Sequence, residues 1–359
     1  MSVEHEPSNA HVTTDDATDP FGVLGELING GMKAQIVRVF AQLNLADHLA
    51  NGPHDLAWLA ALTSTPPAVL ARLLRAAAAL GLCTMSDDDQ IHLAAIGQGL
   101  RADAPQSSRS WALLLGSPWM SAAWQELASA VRSGTSTFVT VHGVGFWEYV
   151  AAHPDEGAFF DSAMTSGAGP RGCAVAERID MADVASIVDV GGGQGLLLAS
   201  VLSKVPNVHG IVADRPKVIS DRSSGMNDED VENRLEFRPA DFFDSVPSGA
   251  DLYLLSRILH DWPDLKAIEI LRTCRRAMPD DGRLCIIESI VPPIDSMSQA
   301  DQLDHAIRDL NMLVLVGGQE RTANEYTSLL HRAGFTVVAI HTCDSCDLIE
   351  ARPTTAAAQ

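Results

Sequence analysis

The sequence predicts an α/β protein in which a doubly wound, mostly parallel sheet follows a smaller, mainly helical domain. Three observations predict it. From Ala185 onward short apolar strands alternate with helical stretches, the pattern of a sheet covered on both faces. Before that point the apolar spacing is helical almost throughout, with one short hairpin. The chain also has 359 residues, more than one core usually organises.

Residues 1–19 are polar and acidic and read as a disordered lead. A first domain is expected over 20–105. Val23, Leu24 and Ile28, then Ile36, Val37, Phe40 and Leu43, recur at helical spacing. Asp55 to Leu82 reads as helix, turn, helix: Leu56, Leu59 and Leu62 precede the Pro66-Pro67 break, and Val69, Leu70, Leu73, Leu74 and Leu80 follow it. Gly81 suits a helix end, and Asp87 to Gln90 suits a hairpin tip. This is a winged-helix pattern, which raises the possibility of DNA binding. Arg72 and Arg75 are the only cations of the segment 66–81, too few for a recognition helix on a phosphate backbone. A packing module for dimerisation is the better reading.

A helical connector is expected over 106–180, carrying Trp111, Trp119, Trp124, Phe146, Trp147, Phe159, Phe160 and Met164. Most of these read as core. Trp147, Phe160 and Met164 read as core first, with the wall of a pocket for an aromatic ligand as the alternative. The last domain, 181–356, is expected to place strands at 186–190, 208–213, 235–238, 251–255, 283–288, 336–341 and 347–350. In such sheets ligands bind beyond the carboxyl ends of the strands.

The net charge of −21 repels phosphate backbones and anionic lipid, so neither nucleic acid nor membrane is expected as a partner. No apolar run approaches a bilayer span, and the N-terminus lacks a secretory pattern, so a cytoplasmic protein is expected. Cys343 and Cys346 form the one C-x-x-C pair among six cysteines. Without a second pair it reads as two small, half-buried thiols rather than a zinc or redox site.

The strand at 186–190 runs into Gly191-Gly192-Gly193-Gln194-Gly195 and then a helix. Glycines there let the backbone turn sharply and approach a ligand closely. Asp214 follows at the end of the next strand, where a carboxylate reaches a ribose diol. The spacing Gly191-x-Gly193-x-Gly195 departs from the dinucleotide fingerprint, and Asp189 would repel a pyrophosphate but attract a cationic amino-acid tail. Both features favour S-adenosylmethionine over NAD. Asp241 and Phe242 follow the third strand, where one would accept from an adenine amino group and the other would pack on the ring; a plain turn-capping Asp is the alternative.

The fourth strand ends in Ser256-Arg257-Ile258-Leu259-His260-Asp261-Trp262. A phenol has a pKa near 10, and imidazole is a fitting base to deprotonate it for methyl transfer. His260 is the candidate. Glu288, at the end of the next strand, and Glu320, in Gly317-Gly318-Gln319-Glu320-Arg321-Thr322, both qualify as its orienting carboxylate. Glu320 is equally open to a structural reading, as a helix-start charge beside Arg321.

Together the acidic glycine loop, Asp214, Asp241-Phe242, His260-Asp261-Trp262 and the 317–322 segment resemble the plant caffeate-type and bacterial antibiotic-tailoring O-methyltransferases, over about residues 20–350. The resemblance implies a Rossmann-like C-terminal domain, a winged-helix-like dimerisation domain, no metal, and a homodimer whose partner contributes to the acceptor pocket. It implies His260 as base flanked by Glu288 and Glu320, and Met164 and Met312 near a small aromatic hydroxyl acceptor. Ser256 and Arg257 join the cofactor contacts, and Asp261 the acceptor contacts. Ser256 stands where plant members carry Lys, and Arg215 replaces a Leu, pointing either to solvent or to the cofactor.

Overall fold

The computed structural model describes residues 19–86, 88–104, 107–220, 228–344 and 346–354, without the side chain of Ser166. The expected disordered lead thus falls, apart from Asp19, outside the described residues, as does Asp87 of the hairpin tip. Two compact units divide the chain at Ala104 and Pro105.

The first unit is helical with a small sheet. Helices Pro20–Ile28 and Gly30–Gln42 lead, and Asp19 caps the first by accepting from the amides of Phe21 and Gly22. Helices Leu56–Leu62 and Pro67–Ala79 follow; Asp55 caps the former and Pro67 opens the latter. Strands β1 (His54–Asp55), β2 (Cys83–Met85) and β3 (Gln90–Leu93) pair antiparallel in the order β1-β3-β2, so Gln90 belongs to a strand and not to the hairpin tip. Phe40, Leu45, Leu59, Leu70, Leu74 and Ile91 form the interior. Leu62 and Val69 face outward, unlike the Leu59 and Leu70 of their stripes. The first helices also leave Phe21, Leu27, Ile28 and Met32 exposed, with Phe21 82% accessible.

The second unit begins with seven helices between Arg109 and Arg178 and continues into a seven-stranded sheet. Its strands are β4 (Ser186–Val190), β5 (His209–Asp214), β6 (Leu235–Pro239), β7 (Leu252–Ser256), β8 (Arg283–Glu288), β9 (Phe335–Thr342) and β10 (Asp347–Pro353). The order is β6-β5-β4-β7-β8-β10-β9; the first five run parallel, and β10 is antiparallel to both its neighbours. All six residues of β8 and most of β4 and β7 are buried, because helices cover both faces of the parallel strands. The outer strand β9 alternates in and out. The strand order reverses around β4, which puts the crevice for a ligand at the ends of β4 and β7. No helix among the described residues is long and apolar enough to cross a membrane.

The connector aromatics split. Trp119, Phe138 and Phe146 are buried in one cluster, against which Trp124, Trp147, Phe160 and Met164 pack half-buried. Most of the set is thus core, as expected, while Trp111 and Phe159 are the exceptions and are exposed, because their helices turn those positions outward. No disulfide joins any of the six cysteines, of which Cys346 is buried and Cys343 half-buried.

Candidate active site

β4 delivers Asp189 into the interior and then the glycine loop. Gly191, Gly193 and Gly195 take positive φ angles of 74, 57 and 80°, a backbone that side chains disfavour. At Gly191 a Cβ would stand 2.4 Å from Cδ1 of Ile258, so the loop lies against the segment that carries His260. Asp214 braces the loop: Oδ2 accepts from the Gly193 amide at 2.9 Å and Oδ1 from the Arg215 amide at 2.7 Å. Both oxygens of Asp189 are buried without a hydrogen-bond partner, and so is Oγ of Ser256. Burial pushes the Asp189 carboxyl up to about 7, with Asp214 adding to the shift and Arg171 opposing it.

These features fit S-adenosylmethionine. Its ammonium group would give Asp189 the cation and donors it lacks, whereas a pyrophosphate would bring further negative charge against Asp189 and Asp214. Asp241 uses Oδ1 to accept from the Phe243 amide at 2.9 Å, so it caps its turn. Phe242 reaches the loop, with a ring carbon 3.7 Å from where a Gly191 Cβ would lie. Arg257 holds a positive φ of 56° at the end of β7, a strained backbone for a side-chain-bearing residue and of the kind that gathers at functional sites.

The acid–base cluster sits beyond β7 and β8. His260 occupies a short 3-10 turn, Leu259–Asp261, and its Nδ1 lies 3.0 Å from Oε1 of Glu320 and 3.6 Å from Oε2 of Glu288. Of the two candidate carboxylates, Glu320 makes the hydrogen bond. Glu288 uses Oε1 to accept from the amides of Leu259 and His260 at 3.0 and 3.4 Å, tying the turn to β8. Nε2 of His260 is 3.5 Å from Oδ1 of Asp261. Burial pulls the imidazole pKa down, but Glu288, Asp261 and Glu320 outweigh it and raise it to about 9. Burial pushes Asp261 up to about 7 against the pull of His260. Burial likewise raises Glu288, whereas on Glu320 the same effect is outweighed by the His260 hydrogen bond and charge, which leave its carboxyl lowered. The two carboxyls are thus pushed in opposite directions, Glu288 up by its burial and Glu320 down by its bond to His260.

The 317–322 segment locks this turn in place. The Gln319 amide donates to the His260 carbonyl at 2.9 Å. Arg321, wholly buried, donates to the carbonyls of Leu259 and Trp262 at 2.8 and 2.7 Å and pairs with Asp264 at 3.0 Å. Arg321 thus partners Asp264 and not Glu320. The sequence singled out neither this clamp nor Arg171, whose Nε is buried without a partner and whose Nη2 donates to the Met164 carbonyl at 3.3 Å. The one signal for Arg171 in the sequence is a lone Arg among the glycines of Gly169-Pro170-Arg171-Gly172, a pattern too common to single it out.

Around these groups, Trp147 and Phe160 meet edge-on with centroids 5.5 Å apart, and the Trp147 Nε1 is buried without a partner. Arg215 is exposed, and its guanidinium lies 5.4 Å from the centre of the Trp147 ring. Met312 is half-buried in helix Gln299–Val316, and its carbonyl accepts from Gly317 and Gly318.

Residues 124–336 match the O-methyltransferase domain family, and residues 25–96 match the O-methyltransferase dimerisation domain. The chain belongs to this S-adenosylmethionine-dependent O-methyltransferase family. It is 38% identical over 312 residues to O-methyltransferase SfmM3 of Streptomyces lavendulae, covering 86% of this chain and 92% of that one. It is 35% identical to the 8-amino-8-demethylriboflavin N,N-dimethyltransferase of Streptomyces davaonensis, over 89% of this chain and 92% of that one. Among solved structures it resembles the O-methyltransferase NcsB1 from neocarzinostatin biosynthesis, in complex with S-adenosylmethionine and 2-hydroxy-5-methyl naphthoic acid. The TM-score is 0.77 and the identity 31%, covering 89% of this chain and 95% of that one.

Proposed function

We propose that the chain moves a methyl group from S-adenosylmethionine to a phenolic or enolic hydroxyl of a small aromatic secondary metabolite, with His260 as general base. The observation that carries this reading is the 3.0 Å pairing of His260 Nδ1 with Glu320 beside the glycine loop. The cofactor supplies a methyl already activated on a sulfonium, so the chain must position an acceptor and remove its proton.

Asp189 receives the cofactor's ammonium end, and Arg171, with its unpartnered Nε, receives the carboxylate. Asp214 has lone pairs left for a ribose diol beyond those that brace the loop. Asp241 and Phe242 take the adenine, and Ser256 and Arg257 line the same crevice. With Nδ1 committed to Glu320, Nε2 of His260 is the nitrogen left for the acceptor. A pKa of about 9 suits the task, because proton transfer from a phenol of pKa about 10 is then nearly level. Trp147, Phe160, Met164, Met312 and Asp261 form the acceptor side. The apolar face of Phe21, Leu27, Ile28 and Met32 is covered by a second copy, giving a homodimer.

One relative methylates nitrogen, and an aryl amine is a second admissible acceptor. The buried cluster favours oxygen: a neutral aryl amine attacks without prior deprotonation, whereas a phenol needs a base. A panel of hydroxylated and aminated aromatics, read by mass shift with S-adenosylmethionine, tests the reading. Methylated phenols support it; methylation of amines alone overturns the choice of oxygen. Calorimetric binding of NAD with no response to S-adenosylmethionine or S-adenosylhomocysteine overturns the whole.

A further inference from the structure

His260, Glu288 and Glu320 are buried, and each offers a ligand atom within 4.8 Å of the others'. A tetrahedral ion with nitrogen and oxygen ligands at about 2.0–2.1 Å sets them about 3.4 Å apart. The two separations from His260 Nδ1, 3.0 Å to Glu320 and 3.6 Å to Glu288, bracket that edge. One oxygen of each glutamate, Oε2, is buried without any hydrogen-bond partner. Two neighbouring buried carboxyls are expensive to ionise together, and a dication removes that expense.

We propose that this triad binds a borderline divalent cation, zinc foremost, as an inhibitory site. The ion takes Nδ1 of His260 and one oxygen from each glutamate and keeps a fourth position for water, the ligand count of an open zinc site. Magnesium, which demands near-ideal octahedral oxygen coordination, does not fit. Any proton held on Nδ1 or on the two carboxyls leaves to solvent as the ion takes its place. The imidazole then keeps its remaining proton on Nε2, the nitrogen that must accept the proton of the hydroxyl. Methyl transfer stops because the base is already protonated where it acts. The inhibition rests on the proposed role of His260; the occupancy of the site does not.

Cobalt(II) is the spectroscopic probe, titrated into the full chain without cofactor. The expected result is visible d–d absorption of a low-coordinate ion without a thiolate charge-transfer band. Glu288→Gln and Glu320→Gln should each weaken cobalt at least about tenfold. Cys343→Ser should leave both the spectrum and the activity unchanged, since Cys343 and Cys346 are the rival soft site. Zinc should inhibit the wild type reversibly by chelator, and magnesium should not. A thiolate band that Cys343→Ser removes, or undiminished affinity in both Gln variants, overturns the site. Should a Gln variant fail to fold, anomalous scattering from zinc-soaked wild-type crystals locates the ion directly, and density away from Nδ1 overturns the site equally. A glutamate-dependent site with methyl transfer unimpaired by zinc overturns the inhibition and the assignment of His260 as base, leaving the metal site standing.

Discussion

Nδ1 of His260 and Oε1 of Glu320 stand 3.0 Å apart although 60 residues separate them in sequence. The pair commits Nδ1, so that in the proposed reaction Nε2 is the nitrogen that meets the acceptor. The His260→Ala enzyme should lose about 10²–10⁴-fold in kcat and keep its cofactor affinity, as calorimetry with S-adenosylhomocysteine would show. In Glu320→Gln the imidazole loses a carboxylate that raises its pKa. The acidic limb of its pH–rate profile should shift to lower pH, and its plateau should fall. An unmoved limb would separate Glu320 from the base.

A base active as the neutral imidazole works above its pKa. With His260 raised to about 9, kcat/KM should climb nearly tenfold per pH unit across neutrality and level near 9. Stability runs the other way. The folded state holds its proton more tightly than an ordinary His of pKa about 6.5. That stabilisation is complete below 6.5 and is lost as pH rises through about 9. Asp189 and Asp261, raised to about 7, add losses of the same sign between their unfolded values and 7. Scanning calorimetry of the cofactor-free protein should show Tm falling over this range, with the upper part of the fall absent in His260→Ala.

Much of the site was legible because its signals are local. The glycine loop, Asp214 and the His260 turn each sit at a strand end, where a doubly wound sheet places ligands, and the strand pattern located those ends to within a few residues. The choice between Glu288 and Glu320 was not legible, since both approach His260 from distant segments and only packing decides which oxygen arrives. The clamp made by Arg321 was not legible for a related reason: besides Asp264 its partners are backbone carbonyls of Leu259 and Trp262, which no side-chain pattern records. Which of the connector aromatics stand outside the core, Trp111 and Phe159, depends on helix phase, which aromatic type alone does not carry.

Gly318 tests how tightly the turn is held. A Cβ there would sit 2.0 Å from the His260 carbonyl oxygen and 2.6 Å from the Asp261 carbonyl carbon, both backbone atoms that cannot swing away. Gly318→Ala should therefore displace the base while sparing the glycine loop. The expected outcome is a fall in kcat of about a hundredfold from misplacement, with S-adenosylmethionine binding by calorimetry close to wild type.

Arg321 should matter to folding more than to binding. Its guanidinium is wholly buried and supplies donors to two carbonyls and to Asp264. Arg321→Met removes those donors and leaves the carbonyls unmet, at a cost of about 3 kcal/mol. Urea unfolding should show a lower midpoint with little change in slope. An unchanged midpoint would mean that the turn is held by Gln319 and Glu288 alone.

Asp189 gives the sharpest test of the cofactor site. Burial without a donor holds its carboxyl at about 7 in the free protein, so near neutrality a sizeable fraction is protonated. A cationic ligand binds the ionised form best, and its arrival should pull that pKa down. S-adenosylmethionine affinity should therefore tighten as pH rises from 6 to 8, with proton release that depends on buffer ionisation heat. Asp189→Asn retains the shape but cannot ionise, so it should bind about 10- to 100-fold more weakly and lose this pH dependence. A pH-dependent affinity that survives in Asp189→Asn would assign the titrating group elsewhere, with Asp214 the next candidate, since burial raises its carboxyl too.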